Sequence, residues 1–123
     1  MDVSQFAGRI AKIRARFATK LADNIQQTDA ALPSLAGAGS EAADAVAAAY
    51  RRFHDVCGVG ATIGFVAIGR LARTLDTILV VAFRDHRGLS GDELAHFKEG
   101  LESLRAAAQT EMQSPDPSRE LAQ

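Results

Sequence analysis

The chain has a single cysteine, Cys57, among its 123 residues. That excludes an internal disulfide and fits a reducing compartment. No apolar run approaches the roughly 18 residues of a membrane-spanning helix. The net charge is −1, so there is no global basic field for nucleic acid or for an anionic lipid surface. Strand-length alternation is missing, as is any repeat at about 20–50 residues. The opening Met1-Asp-Val-Ser-Gln has no basic stretch followed by an apolar one, so no secretory signal is expected. What these absences leave is one soluble, cytoplasmic domain, long enough to bury a core without staples.

What is present is helical periodicity. Val3, Phe6, Ile10, Ile13, Phe17, Leu21 and Ile25 recur at spacings of three and four and make one apolar stripe. Residues 3 to about 31 therefore read as a first helix, with room for a break that would divide it in two. Pro33 and Gly37-Ala-Gly39-Ser then read as a loop. Ser40 can cap a second helix, with Glu41 and Asp44 near its positive end and Val46, Ala49, Phe53, Val56 and Gly60 inward. A third helix is expected from about Val66 to Arg87, burying Ile68, Leu71, Leu75, Ile78, Leu79 and Ala82; His86-Arg-Gly88 look like its end. Ser90-Gly-Asp-Glu93 has capping-box spacing. The fourth helix then runs to about Met112 on Leu94, Phe97, Leu101, Leu104 and Ala108. Residues 113–123, which include Ser114-Pro-Asp-Pro-Ser, lack an apolar pattern and read as a disordered tail beyond a domain of residues 1–112. Four amphipathic helices on mostly short loops predict an all-α, antiparallel up-down four-helix bundle.

The stretch with chemical content is His54-Asp-Val-Cys-Gly-Val-Gly-Ala-Thr-Ile-Gly-Phe65. Each glycine inside a helix costs about 1 kcal/mol relative to alanine. Gly58 sits one turn above His54 on the same face, where any larger side chain would crowd the imidazole. Ala61 and Ala47, two turns to either side, are also small. The face around His54 is nearly bare, and a large partner can reach the ring.

Plainer readings stand beside each feature. Gly60 and Gly64 fit packing or helix-end positions. Cys57 fits a small core residue, His86 a charge at a helix C-terminus, and His96 an exposed surface residue. Any one of Arg51, Arg52, Arg70 and Arg73 alone is ordinarily a solvated charge. Enzymatic alternatives fare worse. Gly58–Gly64 lacks the Lys-Ser/Thr and the preceding strand of a phosphate-binding loop, and Ile63 stands where a dinucleotide fingerprint needs its third glycine. The three histidines form no i, i+4 metal pair, and no elbow motif supports a Ser-His-Asp arrangement.

His-x-x-x-Gly-x-Gly-x-x-x-Gly-Phe, followed by a Leu-Ala-Arg-Thr-Leu-Asp helix, resembles the histidine phosphotransfer (HPt) domains of bacterial two-component phosphorelays. The likeness is close over residues 46 to 80. It implies that His54 accepts a phosphoryl group from a receiver-domain aspartate, or from a hybrid histidine kinase, and passes it on. It also implies no ATP site and no cofactor of its own, the receiver bringing Mg²⁺ and an acidic cluster. Resembling domains of chemotaxis kinases carry a glutamate 22 positions after the histidine, and others carry a glutamine; here Asp76 stands there, shorter by a methylene, and would orient the imidazole through a longer or water-bridged contact. Arg73, on the same face as Asp76, points at the same neighbourhood. Most members carry a lysine or arginine where this chain has Cys57. Either Arg73 or Arg51 replaces that cation, or transfer is altered. The departure leaves room for a degenerate module that docks on a receiver or kinase without being phosphorylated. Tyr50, Ala61 and Phe65 are expected to form the partner contact over the second and third helices, on a monomer. A third reading, the dimerisation hairpin of a histidine kinase, draws on Asp55 directly after His54.

Overall fold

The spacings of three and four produce four helices in the computed structural model, which describes residues 2–60 and 62–113. They are α1 Val3–Leu35, α2 Ser40–Gly60, α3 Val66–Arg84 and α4 Gly91–Gln113. Each packs on the next, and α1 closes the ring against α4: an all-α, up-down bundle. Leu21, Val46, Phe53, Ile68, Leu75, Leu79, Phe97, Leu101 and Leu104 fill its centre, with the Phe53 and Phe97 rings edge to face at 6.2 Å.

The second helix buries the five residues its pattern marks, Val46, Ala49, Phe53, Val56 and Gly60. The first departs from expectation at both ends. It is one unbroken helix of 33 residues, and Pro33 lies inside it rather than in a loop. In the last turn, proline removes a single backbone bond and leaves few residues beyond it to disturb. At the other end, Phe17, Leu21 and Ile25 are buried, but Val3 is 84 % exposed, Phe6 59 % and Ile13 44 %. The reason is length. At 1.5 Å per residue α1 is about 50 Å long, against roughly 32 Å for the 21 residues of α2. Its first turns run past the bundle with no neighbour to cover them. Asp2 starts the helix there, accepting the Gln5 backbone N–H at 2.8 Å.

The α3–α4 connection is fixed by two end motifs. At the end of α3 the N–H of His86 donates to the Phe83 carbonyl and that of Arg87 to Ala82, with His86 at φ 52°. This is the paired closure of a Schellman turn, with histidine in the left-handed position that glycine usually takes. The third helix therefore stops at Arg84, short of the expected Arg87. Gly88 serves another need: a Cβ there would lie 2.5 Å from the Gly37 carbonyl and 2.7 Å from Ala42. Only glycine lets this strap approach the α1–α2 loop, where the Leu89 N–H donates to Leu35 at 2.8 Å. The α4 cap is reciprocal, Glu93 N–H to Ser90 Oγ and Ser90 N–H to Glu93 Oε1. Arg87 grips the same carboxylate in a two-pronged contact at 2.7 and 3.2 Å. The start of α3, lacking a side-chain cap of its own, takes one from α4: the Ile68 N–H donates to Glu111 at 2.7 Å. The tail, residues 114–123, lies outside the described residues.

Two outcomes follow. Phe17→Ala should cost about 3–5 kcal/mol and Phe6→Ser less than about 0.5 kcal/mol, read by urea denaturation; comparable losses would mean that the first turns of α1 are covered. The Arg87 guanidinium, helped by the Ser90 N–H, holds the Glu93 carboxyl at about 2 instead of 4.5. A depressed carboxyl stabilises the fold above pH 4.5, and that contribution fades as pH falls towards 2. Glu93→Gln should therefore be less stable than wild type at pH 6, with the gap narrowing by pH 2.5; a gap independent of pH would remove the ion pair from the account.

Candidate functional site

His54 and Asp76 each follow a fully buried residue, Phe53 on α2 and Leu75 on α3. One step beyond the core-facing position puts both side chains at the rim of the α2–α3 seam. There they meet directly: Nδ1 of His54 lies 3.2 Å from Oδ1 of Asp76, with the imidazole side chain 62 % exposed and the carboxylate 20 %. The contact needs no water bridge. A carboxylate only accepts, so Nδ1 is the donor in this contact, and in the neutral imidazole the lone pair then lies on Nε2. The site thus presents a nucleophilic nitrogen on a solvent-facing ring.

The three glycines of the motif serve different purposes. Packing does not require a glycine at position 58, since a Cβ there would meet nothing within 4 Å. Gly60 is a packing position: its missing Cβ would lie 3.4 Å from the Phe17 ring and 3.5 Å from Gly69. Gly64, at φ 97°, turns the chain out of α2. That turn corrects the expected place of Phe65. Instead of facing a partner it is 4 % exposed, stacked on Phe17 at 5.4 Å, with the Arg14 guanidinium 4.5 Å above its ring. The backbone reversal, locked by Phe65 N–H to the Gly60 carbonyl, drives the ring inward.

Tyr50 is half-buried, not a free contact residue. Its ring stacks on His54 at 5.3 Å and on Phe83 at 4.5 Å. Ala61 lies outside the described residues. Apolar surface is instead found on the α1 side of α2, in a groove of about 300 Å³ that Asp55, the residue after His54, helps to line. Ile13 and Val59 line it, each 44 % exposed, together with Val56, Asp55, Arg16 and Lys20. The signal for it was present in the sequence, as Ile13 on the first stripe and Val59 between two glycines, but only the antiparallel pairing brings them together.

Cys57 is half-buried. Burial, with the Asp76 charge nearby, pushes its thiol up to about 11, against a smaller opposing pull from Arg73. It is a neutral group at ordinary pH and supplies no cation. Arg73 and Arg51 are exposed. Arg73 is close enough for its charge to act on Cys57, whereas no contact ties Arg51 to the imidazole. Among the described residues, no three His, Cys, Asp or Glu side chains gather as metal ligands would, and no helix is long and apolar enough to cross a membrane.

A rim histidine with its Nδ1 held by an acid, inside four helices, is the arrangement that the motif led us to expect. The family model of the Hpt domain matches residues 12–107. The chain belongs to the Hpt domain family. Comparison with curated proteins and with solved structures gave no match. The family match begins at Lys12, so most of the uncovered turns of α1 precede it. Hpt domains serve histidine phosphotransfer in phosphorelays and work with receiver domains and kinases. Membership also removes the dimerisation-hairpin reading, since all four helices here come from one chain.

Because the space above Gly58 is empty, Gly58→Ala should raise stability by about 1 kcal/mol through helix propensity alone. A loss in thermal or urea denaturation would show that the glycine is structural.

Proposed function

We propose that the protein is a phosphocarrier, accepting a phosphoryl group on Nε2 of His54 from a receiver-domain aspartate or a hybrid histidine kinase and passing it to another receiver. The observation that carries this reading is the 3.2 Å contact between Nδ1 of His54 and Asp76 on a ring that stays 62 % exposed. In the step itself the Nε2 lone pair attacks phosphorus, the N–P bond forms, and the P–O bond to the donor carboxylate breaks. The donor leaves as a carboxylate. The proton stays on Nδ1, and Asp76 offsets the positive charge that the ring acquires. The open space over Gly58 supports an in-line approach. Mg²⁺ belongs to the partner receiver. Arg73 is the nearer of the two arginines proposed to meet the phosphoryl oxygens, and Arg51 is the alternative. The groove lined by Ile13, Val56 and Val59 is the apolar surface on which a receiver docks, with Arg16 and Lys20 at its edge.

One observation favours a second reading. Cys57 stands where most members carry a cation, and its thiol is neutral. A degenerate module that docks without being phosphorylated would show this. Phosphoramidate labelling separates the two. Wild type should gain acid-labile phosphate at His54 and lose it to a receiver; His54→Gln should take none and keep its fold; Gly58→Arg should label yet deliver at least tenfold more slowly. A wild-type protein that stays unlabelled while still binding a receiver would establish the docking module instead.

A further inference from the structure

Tyr50 lies one turn before His54 on α2, and its ring faces the imidazole at 5.3 Å with 27° between the planes. The same ring stacks on Phe83 of α3, at 4.5 Å and 17°. Tyr50 therefore links Phe83 on α3 to the proposed phosphoacceptor on α2 through two ring stacks. Asp76, also on α3, holds the edge of the same imidazole at Nδ1. The third helix thus touches His54 twice, at the ring edge through a carboxylate and at the ring face through a braced phenol.

The two contacts restrain different motions. The χ2 torsion of histidine is broad and roughly two-fold, so a free ring readily turns over, which puts Cδ2 where Nδ1 was and Cε1 where Nε2 was and takes Nδ1 off Asp76. The Asp76 contact selects one orientation, but it sits at a wet rim where a single hydrogen bond of 3.2 Å competes with water. A flat ring against the imidazole face resists the turn itself, because the plane must leave its stacked position to rotate. Phe83 keeps Tyr50 from following. The Tyr50 hydroxyl makes no hydrogen bond among the described residues, so the face of the ring is the working part. The same face suits a ring that gains positive charge when Nε2 is phosphorylated.

Resting on the phosphocarrier reading, we infer that Tyr50 is a positioning residue for His54, keeping Nδ1 on Asp76 and Nε2 towards the donor. The role differs from that of a docking contact. It also places a determinant of the reaction four residues before the histidine, outside the His-to-Gly motif.

The test compares wild type, Tyr50→Phe, Tyr50→Leu and Asp76→Ala. Leucine keeps apolar contact with Phe83 but removes the flat face; phenylalanine keeps the face and removes the hydroxyl. Phosphorus NMR after phosphoramidate labelling reads which nitrogen is phosphorylated, and nitrogen-15 NMR of the unlabelled protein reads which one is protonated. Wild type and Tyr50→Phe should carry the proton on Nδ1 and the phosphate on Nε2 alone. Tyr50→Leu should show a mixture of protonated nitrogens, some phosphate on Nδ1, and labelling slowed roughly three- to tenfold. Its helical content and melting temperature are checked alongside, and the mixture of nitrogens is a change that mere loosening of the core would not produce in a folded protein. Two results overturn the inference: a Tyr50→Leu protein with wild-type rate and a single phosphorylated nitrogen, or a Tyr50→Phe protein as impaired as Tyr50→Leu, which would transfer the role to the hydroxyl. A wild-type protein that takes no phosphate at His54 would sink the phosphocarrier reading, and the protonation measurement would still decide whether Tyr50 holds the ring.

Discussion

The site depends on how closely α2 approaches α3. At the end of the seam Gly60 faces Gly69, and the Cβ that glycine lacks would already lie 3.5 Å from the opposing backbone. Ala49 on α2 and Ala72 on α3 are both buried along the same packing. Six residues back from Gly60 on one helix, and seven on from Gly69 on the other, stand His54 and Asp76. In an antiparallel pair those steps keep the register, so the spacing set at the glycines is the spacing at the imidazole. Asp76 is a methylene shorter than the glutamate of resembling domains, yet it reaches Nδ1 at 3.2 Å. Small residues in the seam account for that. A side chain larger than alanine at position 60 or 72 would push the helices apart and break the contact without touching either member of it.

The sequence made this seam legible and hid other parts for identifiable reasons. Val46, Ala49, Phe53, Val56 and Gly60 mark the buried face of α2 because that helix has neighbours along its whole length. The stripe of α1 is as regular, but periodicity marks a face and does not say whether anything covers it; Val3 and Phe6 are exposed because α2 ends before it reaches them. Phe65 was misplaced because a phenylalanine after a glycine run reads as a surface ring, until the positive φ of Gly64 turns it onto Phe17. The pairing of His54 with Asp76 was legible as an offset of 22 through the family likeness. The stack through Tyr50 and Phe83 was not, because residues 33 apart in sequence on different helices meet only once the register is known.

Cys57 illustrates how one substitution shifts a charge problem elsewhere. Three residues after His54, it points into the α2–α3 seam, where burial keeps the thiol neutral. A cation buried there would sit beside Asp76 and compete with the imidazole for the carboxylate. With cysteine in place, Asp76 contacts His54 alone among the described residues, and on the proposed reading positive charge for a phosphoryl group would come from an exposed side chain. Arg73 is near enough for its charge to be felt at Cys57, and it is free to follow a moving group because no ion pair among the described residues holds it.

If His54 carries a phosphoryl group as proposed, its restraints also bear on why the acceptor stands at a wet rim. Burial would strengthen every contact to a phosphorylated imidazole, and a group held too firmly does not move on. On the proposed reading, one carboxylate and one ring face would orient the imidazole at this rim, while water would screen the phosphoryl charge. Orientation contributes to rate in both directions, because the same nitrogen must attack and later leave along the same line. Stabilisation of the phosphorylated form would favour only the first. On the proposed reading, a site built from Asp76, the Tyr50 face and the empty space over Gly58 would supply orientation and access with little stabilisation, the balance that a reversible relay requires.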